Sequence, residues 1–198
     1  MRMPKPDQAL RDFFSDSENF ADFINAALFS GKEVLNPNDF QVEDSKYLAA
    51  AGGGNSFKKV TRARDVIRKS VLGSHFAIFG IENQSLVHYA MPIRNMLYDA
   101  LEYTEQCQLL SSSFRKSDWT VDEYLSGIHK NDRLIPSFTV VFHYGERKWD
   151  GPLNLREMLE IDERFADLVP DYPVRLVDVC DPQWIKCFNS QNLKDLFQ

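Results

Sequence analysis

The sequence predicts a layered α/β domain with a mixed central sheet flanked by helices, and three observations support this fold class. A helical pattern at the start of the chain precedes three strand-like segments, a second helical pattern and a fourth strand, which gives the order αβββαβ. The third strand, residues 75–81, is apolar on both faces, as expected of a strand covered on both sides. At 198 residues the chain has room for one such domain and little more.

Three segments carry helical spacing. Residues 8–29 place apolar side chains three and four positions apart, which predicts one amphipathic helix with a break near Ser15–Ser17. A second apolar stripe runs over residues 92–110, where a proline suits the first helical turn, and Tyr98 is expected in the core. A short helix is expected at residues 153–161.

Alternating or wholly apolar runs between turn-forming residues predict the strands. The expected strands are residues 40–48, 60–71, 75–81, 135–143 and 174–179. A short connection at Leu72-Gly73-Ser74 would make the second and third strands a hairpin.

The predicted domain covers residues 8–179. Within it the run AAAGGGNS, residues 49–56, is too small and too rich in glycine to pack a core, so a mobile loop is expected there. Residues 180–198 then form a C-terminal tail, and the loss of a longer extension at this end stays open. The apolar residues between Trp184 and Phe197 need a partner, which either more chain or the second subunit of a homodimer would supply.

Charge and composition limit the function classes. The net charge of −6 argues against a protein that coats nucleic acid by bulk attraction. Residues 57–70, however, read FKKVTRARDVIRKS and contain one acid, Asp65, among six basic residues. Such a stripe suits a confined phosphate-binding groove, and a solvated charged strand explains it equally well. Neither a membrane-spanning run nor a signal peptide is found, so no membrane partner and a cytoplasmic location are expected.

Three polar residues near the hairpin carry the chemistry that we expect. Glu82 and Gln84 emerge on one face at the end of an apolar strand, and a hairpin can fold Asp65 back beside Glu82. Two neighbouring carboxylates repel each other, and a divalent cation neutralises them; oxygen ligands suit Mg²⁺ or Mn²⁺ better than Zn²⁺. From spacing alone, the pattern is also explained if Asp65 pairs with Arg64 or Arg68 and Glu82 caps the following helix near Pro92.

Several segments, in this order, resemble the recombination-promoting nuclease and putative transposase (Rpn) family of the PD-(D/E)XK nuclease superfamily. They read DSENFADFINAALFSGKEVLNPNDF, RARDVIRKS, AIFGIENQSLVHYAMPIRNMLYDALEY and FTVVFHYGERKWDGPLNLREML. The most specific block is IENQS followed by YAMPIRNMLYDAL. The resemblance extends over residues 16–179, nearly the whole chain.

The resemblance implies a restriction-endonuclease-like αβββαβ core and a metal-dependent DNA endonuclease with little sequence specificity, linked to DNA recombination or mobile elements. Asp65 and Glu82 would be metal-binding and catalytic, with Mg²⁺ or Mn²⁺ as cofactor and DNA as partner. Gln84 stands where the superfamily often has lysine and would orient the attacking water. Another departure is Arg64, which takes the place of the proline before Asp65.

Further residues complete this expectation. Basic residues of the stripe, Arg62, Arg64 and Lys69, are expected to contact backbone phosphates. An acidic residue of the first helix often joins such sites; Glu18 or Asp22 could reach, but either is equally well a solvated helix residue, and neither is assigned to the site.

Two other function classes stay open at this point. The first is a catalytically weak DNA-binding module on the same fold, which Gln84 favours because an amide cannot supply the positive charge of lysine. The second is a protein-interaction module in which Asp65 and Glu82 form structural ion pairs. DNA binding without metal-stimulated cleavage would distinguish the first, and the absence of both activities would distinguish the second.

Overall fold

The computed structural model describes residues 6–42, 46–50, 59–63, 65–72, 75–113 and 119–197. Within these residues the helices are α1 Pro6–Phe14, α2 Ser17–Phe29, α3 Met91–Ser113, α4 Val121–Ser126 and α5 Gln191–Leu196. The strands are β1 Phe40–Val42, β2 Lys46–Ala50, β3 Lys59–Ala63, β4 Val66–Leu72, β5 His75–Gln84, β6 Ser137–His143 and β7 Arg175–Asp178.

The central feature is a five-stranded mixed sheet in the order β1-β4-β5-β6-β7. Strands β1, β4 and β5 pair antiparallel, whereas β6 runs parallel to β5 and β7 parallel to β6. Helix α3 lies in the connection between β5 and β6, as a parallel pair requires a long crossover. Strands β2 and β3 form a separate two-stranded hairpin. The predicted mixed α/β class with a helix-flanked sheet is therefore confirmed.

Helices cover both faces of this sheet. Along β5, Phe79 and Ile81 belong to the large core cluster that contains side chains of α1, α2 and α5. Ile78 points the other way and packs with Ile67 of β4 and Leu101 of α3. The expectation that the third strand is buried on both sides is thus confirmed, and a residue's position along β5 decides which helices it meets.

The first two helices are separated at the expected break, Ser15–Ser17. Asp16 caps α2 by accepting hydrogen bonds from two backbone amides of its first turn. At the other end Ser30 has a φ of 55° and Gly31 a φ of 81°, which terminates the helix. A Cβ atom on Gly31 would lie 2.5 Å from the carbonyl oxygen of Cys187. Glycine therefore permits the C-terminal segment to approach α2 closely.

The predicted C-terminal tail packs into the same core as the rest of the domain. Phe188 and Leu193 are fully buried in the cluster that contains α2. Asp22 of α2 accepts hydrogen bonds from the backbone amides of Asn189, at 3.0 and 3.1 Å, and of Ser190, at 2.7 Å. The apolar residues of this segment thus find their partner within the chain.

Two of the predicted strands are each divided into two separate strands in the structure. The expected strand 60–71 is β3 and β4, which belong to different sheets, and the expected strand 40–48 is divided into β1 and β2. Ala49 and Ala50, placed by the sequence in a mobile loop, pair with β3 instead. Backbone hydrogen bonds hold such a hairpin without large side chains, so composition alone does not exclude a strand. Residues 51–56 of the expected loop lie outside the described residues.

The helical predictions differ in outcome. The second helix is confirmed as α3, 23 residues long, whereas the helix expected at residues 153–161 is only the 3-10 turn Arg156–Met158. Helix α4 was missed, although Thr120 and Glu123 form a capping box at its start. Among the helices that the structure describes, none has the length and apolar character needed to cross a membrane.

Candidate active site

The ladder between β4 and β5 brings Asp65 beside Glu82. The paired positions of this antiparallel ladder end with Val66 opposite Ile81, and Asp65 directly precedes Val66. The backbone amide of Asp65 donates to the carbonyl oxygen of Ile81 at 3.1 Å. The two carboxyl-bearing residues, 17 positions apart in sequence, therefore occupy neighbouring positions at one end of the sheet.

Asp65 is held by two kinds of donor. Its Oδ1 atom accepts hydrogen bonds from Nε and Nη2 of Arg11, at 3.0 and 2.6 Å. Its Oδ2 atom accepts a hydrogen bond from the backbone amide of Asn83 at 2.8 Å. If the ladder continued here, this amide would donate to a backbone carbonyl of the neighbouring strand instead. The Asp65 side chain is 13% exposed and that of Arg11 50%. The carboxylate is thus fixed, while the guanidinium that holds it is accessible to solvent.

Glu82 is buried and lies within a polar group on the α3 side of the sheet. Its Oε1 atom is 2.5 Å from Nη2 of Arg94 and accepts a hydrogen bond from Nε2 of Gln84 at 3.1 Å. Nε of Arg94 donates to the hydroxyl of Tyr98 at 2.9 Å, and Tyr98 is itself hydrogen-bonded to Glu82. These contacts satisfy a buried charge that would otherwise be costly.

The electrostatics of this group follow from burial and from the Glu82 charge. Burial, followed by the Glu82 carboxylate, raises the pKa of Tyr98 to about 12, so that the hydroxyl stays protonated. Burial acts to lower the pKa of Arg94, but Glu82, Tyr98 and Asp65 together outweigh it and raise that pKa above its ordinary value. Arg94 is therefore a permanent cation that interacts with both carboxylates.

The carboxylate oxygens of Asp65 and Glu82 suit a hard divalent cation, and in this structure each carboxylate is paired with a guanidinium group. Carboxylate oxygens from neighbouring strands are the ligands that Mg²⁺ and Mn²⁺ prefer. Arg11 at Asp65 and Arg94 at Glu82 supply the positive charge that the carboxylate pair attracts. Within the described ranges, no group of three or more histidine, cysteine, aspartate or glutamate side chains is arranged to hold a metal. A cation here would use two carboxylates and complete its coordination with water.

Arg11 and Arg94 are the residues of this site that the sequence analysis missed. For Arg94 a signal existed: it stands four residues before Tyr98, so both lie on one face of α3, within the block YAMPIRNMLYDAL. Tyr98 was assigned to the core, and the structure buries it fully while adding its polar contacts. Nothing local marks Arg11, because its partner is 54 residues away.

The predicted phosphate-binding stripe is divided by the fold. Lys69 is half-buried in β4, opposite Ile78 of β5. Arg62 is described only by its backbone, in β3, and Arg64 lies outside the described residues. Arg68 is buried, and its guanidinium donates to backbone carbonyls at the junction of α1 and α2. Arg68 therefore links β4 to the junction of α1 and α2, and its guanidinium is not available to bind a phosphate.

The acidic residues of the first helical segment lie elsewhere. Asp22 holds the C-terminal segment through its three hydrogen bonds. Glu18 is in the first turn of α2 and lines a cavity together with Asp22, Asn25 and Ser190. Neither contacts Asp65 or Glu82 through any described hydrogen bond or ion pair.

Comparison of the chain with protein-family models, with curated proteins and with solved structures finds no significant match. The resemblance to the Rpn family accordingly stays a prediction.

Proposed function

We propose that this protein is a metal-dependent DNA endonuclease of the PD-(D/E)XK type, related to the Rpn family and acting with little sequence specificity. The observation that carries the proposal is the position of Asp65, which is hydrogen-bonded to the backbone of Ile81 and of Asn83, on either side of Glu82, in a strand that continues to Gln84. The order of β1, β4 and β5 as an antiparallel set, followed by a helix and the parallel strand β6, is compatible with a restriction-endonuclease-like core.

Asp65 and Glu82 would hold Mg²⁺ or Mn²⁺. When bound, such an ion supplies charge neutralisation at the phosphodiester and a more acidic water. Arg11 is half exposed, so its exchange from Asp65 into solvent costs little, in keeping with the small net contribution of exposed ion pairs. Asp65 is then free to accept a different cation.

In this superfamily one lysine often both orients the attacking water and supplies a positive charge. Here Gln84 and Arg94 would each take one of these two roles. The amide of Gln84, which already donates to Glu82, orients the attacking water by hydrogen bonding. Arg94 carries the positive charge that Gln84 lacks, and it lies against the same carboxylate. The absence of lysine at position 84 is thus compatible with catalysis in this arrangement.

Contacts to the DNA backbone are assigned to Lys69, Arg62 and Arg64. Such contacts position the duplex but do not read its sequence. The proposed product is therefore a nick or break without a defined recognition site.

The deciding experiment incubates purified protein with supercoiled plasmid in Mg²⁺, in Mn²⁺ or in chelator. Nicking that requires metal and is lost in Asp65→Asn and Glu82→Gln proteins is expected. The matched control is Asp162→Asn, which removes a carboxylate from an exposed ion pair with Arg164. Equal nicking in chelator and in metal would refute a metal-dependent enzyme.

Two observations favour the alternative classes. Gln84 favours a DNA-binding module that cleaves weakly; such a protein would shift the plasmid in a gel without nicking it. The ion pairs of Asp65 with Arg11 and of Glu82 with Arg94 favour a structural role for both carboxylates. In that case neither binding nor cleavage would be detected.

A further inference from the structure

A histidine–aspartate pair lies beside the proposed site, at the carboxyl ends of β6 and β7. Nδ1 of His143 is 3.1 Å from Oδ1 of Asp178, and both side chains are buried. The ring edge of His143 also packs against Trp149, with centroids 5.3 Å apart. The spacing of the histidines along the sequence indicates structural roles, whereas this geometry gives His143 a partner suited to proton transfer.

The surroundings of Asp178 fix the proton arrangement of the histidine. Its Oδ2 accepts a hydrogen bond from the backbone amide of Trp149 at 2.8 Å, and its Oδ1 accepts from that of Cys180 at 3.0 Å. When Nδ1 of His143 donates to this carboxylate, the lone pair of the neutral ring lies on Nε2.

His143, whose side chain is almost wholly buried, is one of the residues that line a cavity of about 410 Å³. The cavity is lined by Ser85, Leu86 and Val87 after β5 and by residues 143–147 after β6. Among the residues that the structure describes, no side chain or backbone group is hydrogen-bonded to Nε2. Because Asp178 engages Nδ1, Nε2 is the ring nitrogen left for a ligand in this cavity.

Gly145 lies close to the ring of His143. A Cβ atom on Gly145 would lie 2.7 Å from Nε2 of His143 and 2.5 Å from the carbonyl oxygen of Ser85. Any larger residue would press against the imidazole and the β5 backbone at once. The loop therefore passes over the ring at a distance that only glycine permits.

The sheet register places His143 next to Gln84. The two residues are partners in the parallel β5–β6 ladder, and Asp178 is the partner of His143 in the β6–β7 ladder. Paired residues of neighbouring strands project to the same face of the sheet. Glu82 is paired with Val141, and Val141 packs with Met91 of α3, so this face is the one that α3 covers. Glu82, Gln84 and His143 therefore share one face at one end of the sheet.

We propose that His143 is a catalytic residue whose Nε2 accepts the proton of the attacking water. This inference rests on the proposed nuclease function. The water oxygen forms a bond to phosphorus while its proton passes to Nε2. The bond from phosphorus to the leaving sugar oxygen breaks, its electron pair goes to that oxygen, and solvent water protonates it. Asp178 stabilises the imidazolium, which then returns its proton to solvent.

The chemistry of the neighbouring groups points to His143 for this step. The Gln84 amide is not a base, and the Asp65 and Glu82 carboxylates would be committed to the metal ion. Imidazole accepts and releases protons near neutral pH, and a positioned general base contributes roughly 100- to 10,000-fold to a rate.

The test uses the full chain with the metal that supports plasmid nicking. In His143→Asn the amide nitrogen can still donate to Asp178, but no base remains, so single-turnover cleavage should fall by roughly 100- to 10,000-fold. DNA affinity in chelator should be unchanged. His129→Asn is the matched control, because Nδ1 of His129 also pairs with a carboxylate, Oε1 of Glu123, at 3.2 Å. It should cleave like the wild type.

A second variant separates catalysis from structure. His143→Ala leaves a space beside the cavity, and added imidazole should restore cleavage in proportion to its free-base concentration. Failure of imidazole to restore any cleavage would assign the ring a structural role and overturn the inference. Full activity of His143→Asn would overturn it as well, while leaving the nuclease proposal intact. A wild-type protein that never cleaves DNA would contradict both the role of His143 and the nuclease proposal.

Discussion

At the level of single side chains, Asp65 and Gln84 are given different tasks, and substitution separates them. Asp65→Ala removes a ligand, so metal affinity and cleavage should weaken together. Gln84→Ala removes a group that orients water, so metal affinity should stay nearly intact while cleavage slows by roughly 10- to 1000-fold. Calorimetric titration and single-turnover cleavage measure the two quantities independently. Unchanged cleavage in Gln84→Ala would make this side chain a bystander.

Arg94 has a structural consequence that does not depend on the reaction. Arg94→Ala leaves the buried Glu82 carboxylate without its closest cation, and the free energy of unfolding should fall by about 3 kcal/mol. Mg²⁺ should recover part of this loss, since a bound cation would neutralise the same carboxylate. Urea denaturation with and without Mg²⁺ measures both effects.

The matched control for Arg94 is Arg164→Ala, which removes an exposed arginine from its pair with Asp162. Its stability should equal that of the wild type, because exposed pairs contribute little. Equal stability of Arg94→Ala and Arg164→Ala would contradict the role given to the Glu82–Arg94 pair.

At the level of elements, Asp22 joins α2 to the C-terminal segment. Asp22→Ala leaves the backbone amides of Asn189 and Ser190 without this charged acceptor, and we expect a loss of about 2 kcal/mol in the free energy of unfolding. Amide hydrogen exchange should accelerate first in α5. Metal affinity should not change, because Asp22 serves this segment and not the site.

Asp195→Ala provides the comparison for Asp22, since Asp195 is an exposed carboxylate on α5 itself. Its exchange rates should match those of the wild type. If Asp22→Ala leaves α5 as protected as before, the segment is held by its apolar contacts alone.

At the level of the whole molecule, DNA binding must arise from a local basic surface on an acidic protein. Affinity should fall steeply with salt, and Lys69→Ala should flatten the log–log slope by up to about one unit, the effect expected of one phosphate contact. Lys186→Ala, which removes an exposed lysine from the C-terminal segment, should leave the slope unchanged. Fluorescence anisotropy over a salt series gives both slopes, and a flat wild-type response would remove the stripe from the proposal.

The sequence by itself determined the fold class, most elements and the position of Glu82 and Gln84 on one face of β5. These features depend on residue spacing within a single segment, and the periods of helices and strands are visible there. The two small alanines that end β2 escaped prediction for the same reason, because their pairing depends on a partner strand and not on their own side chains.

Only the tertiary structure decided which distant groups meet. The pairing of β4 with β5 brought Asp65 beside Glu82, helix packing brought Arg11 and Arg94 to these carboxylates, and the C-terminal segment packed against α2. Parallel pairing of three strands likewise aligned Gln84, His143 and Asp178. Such contacts join residues tens of positions apart. They follow from how whole elements pack to bury apolar surface, which no local period records.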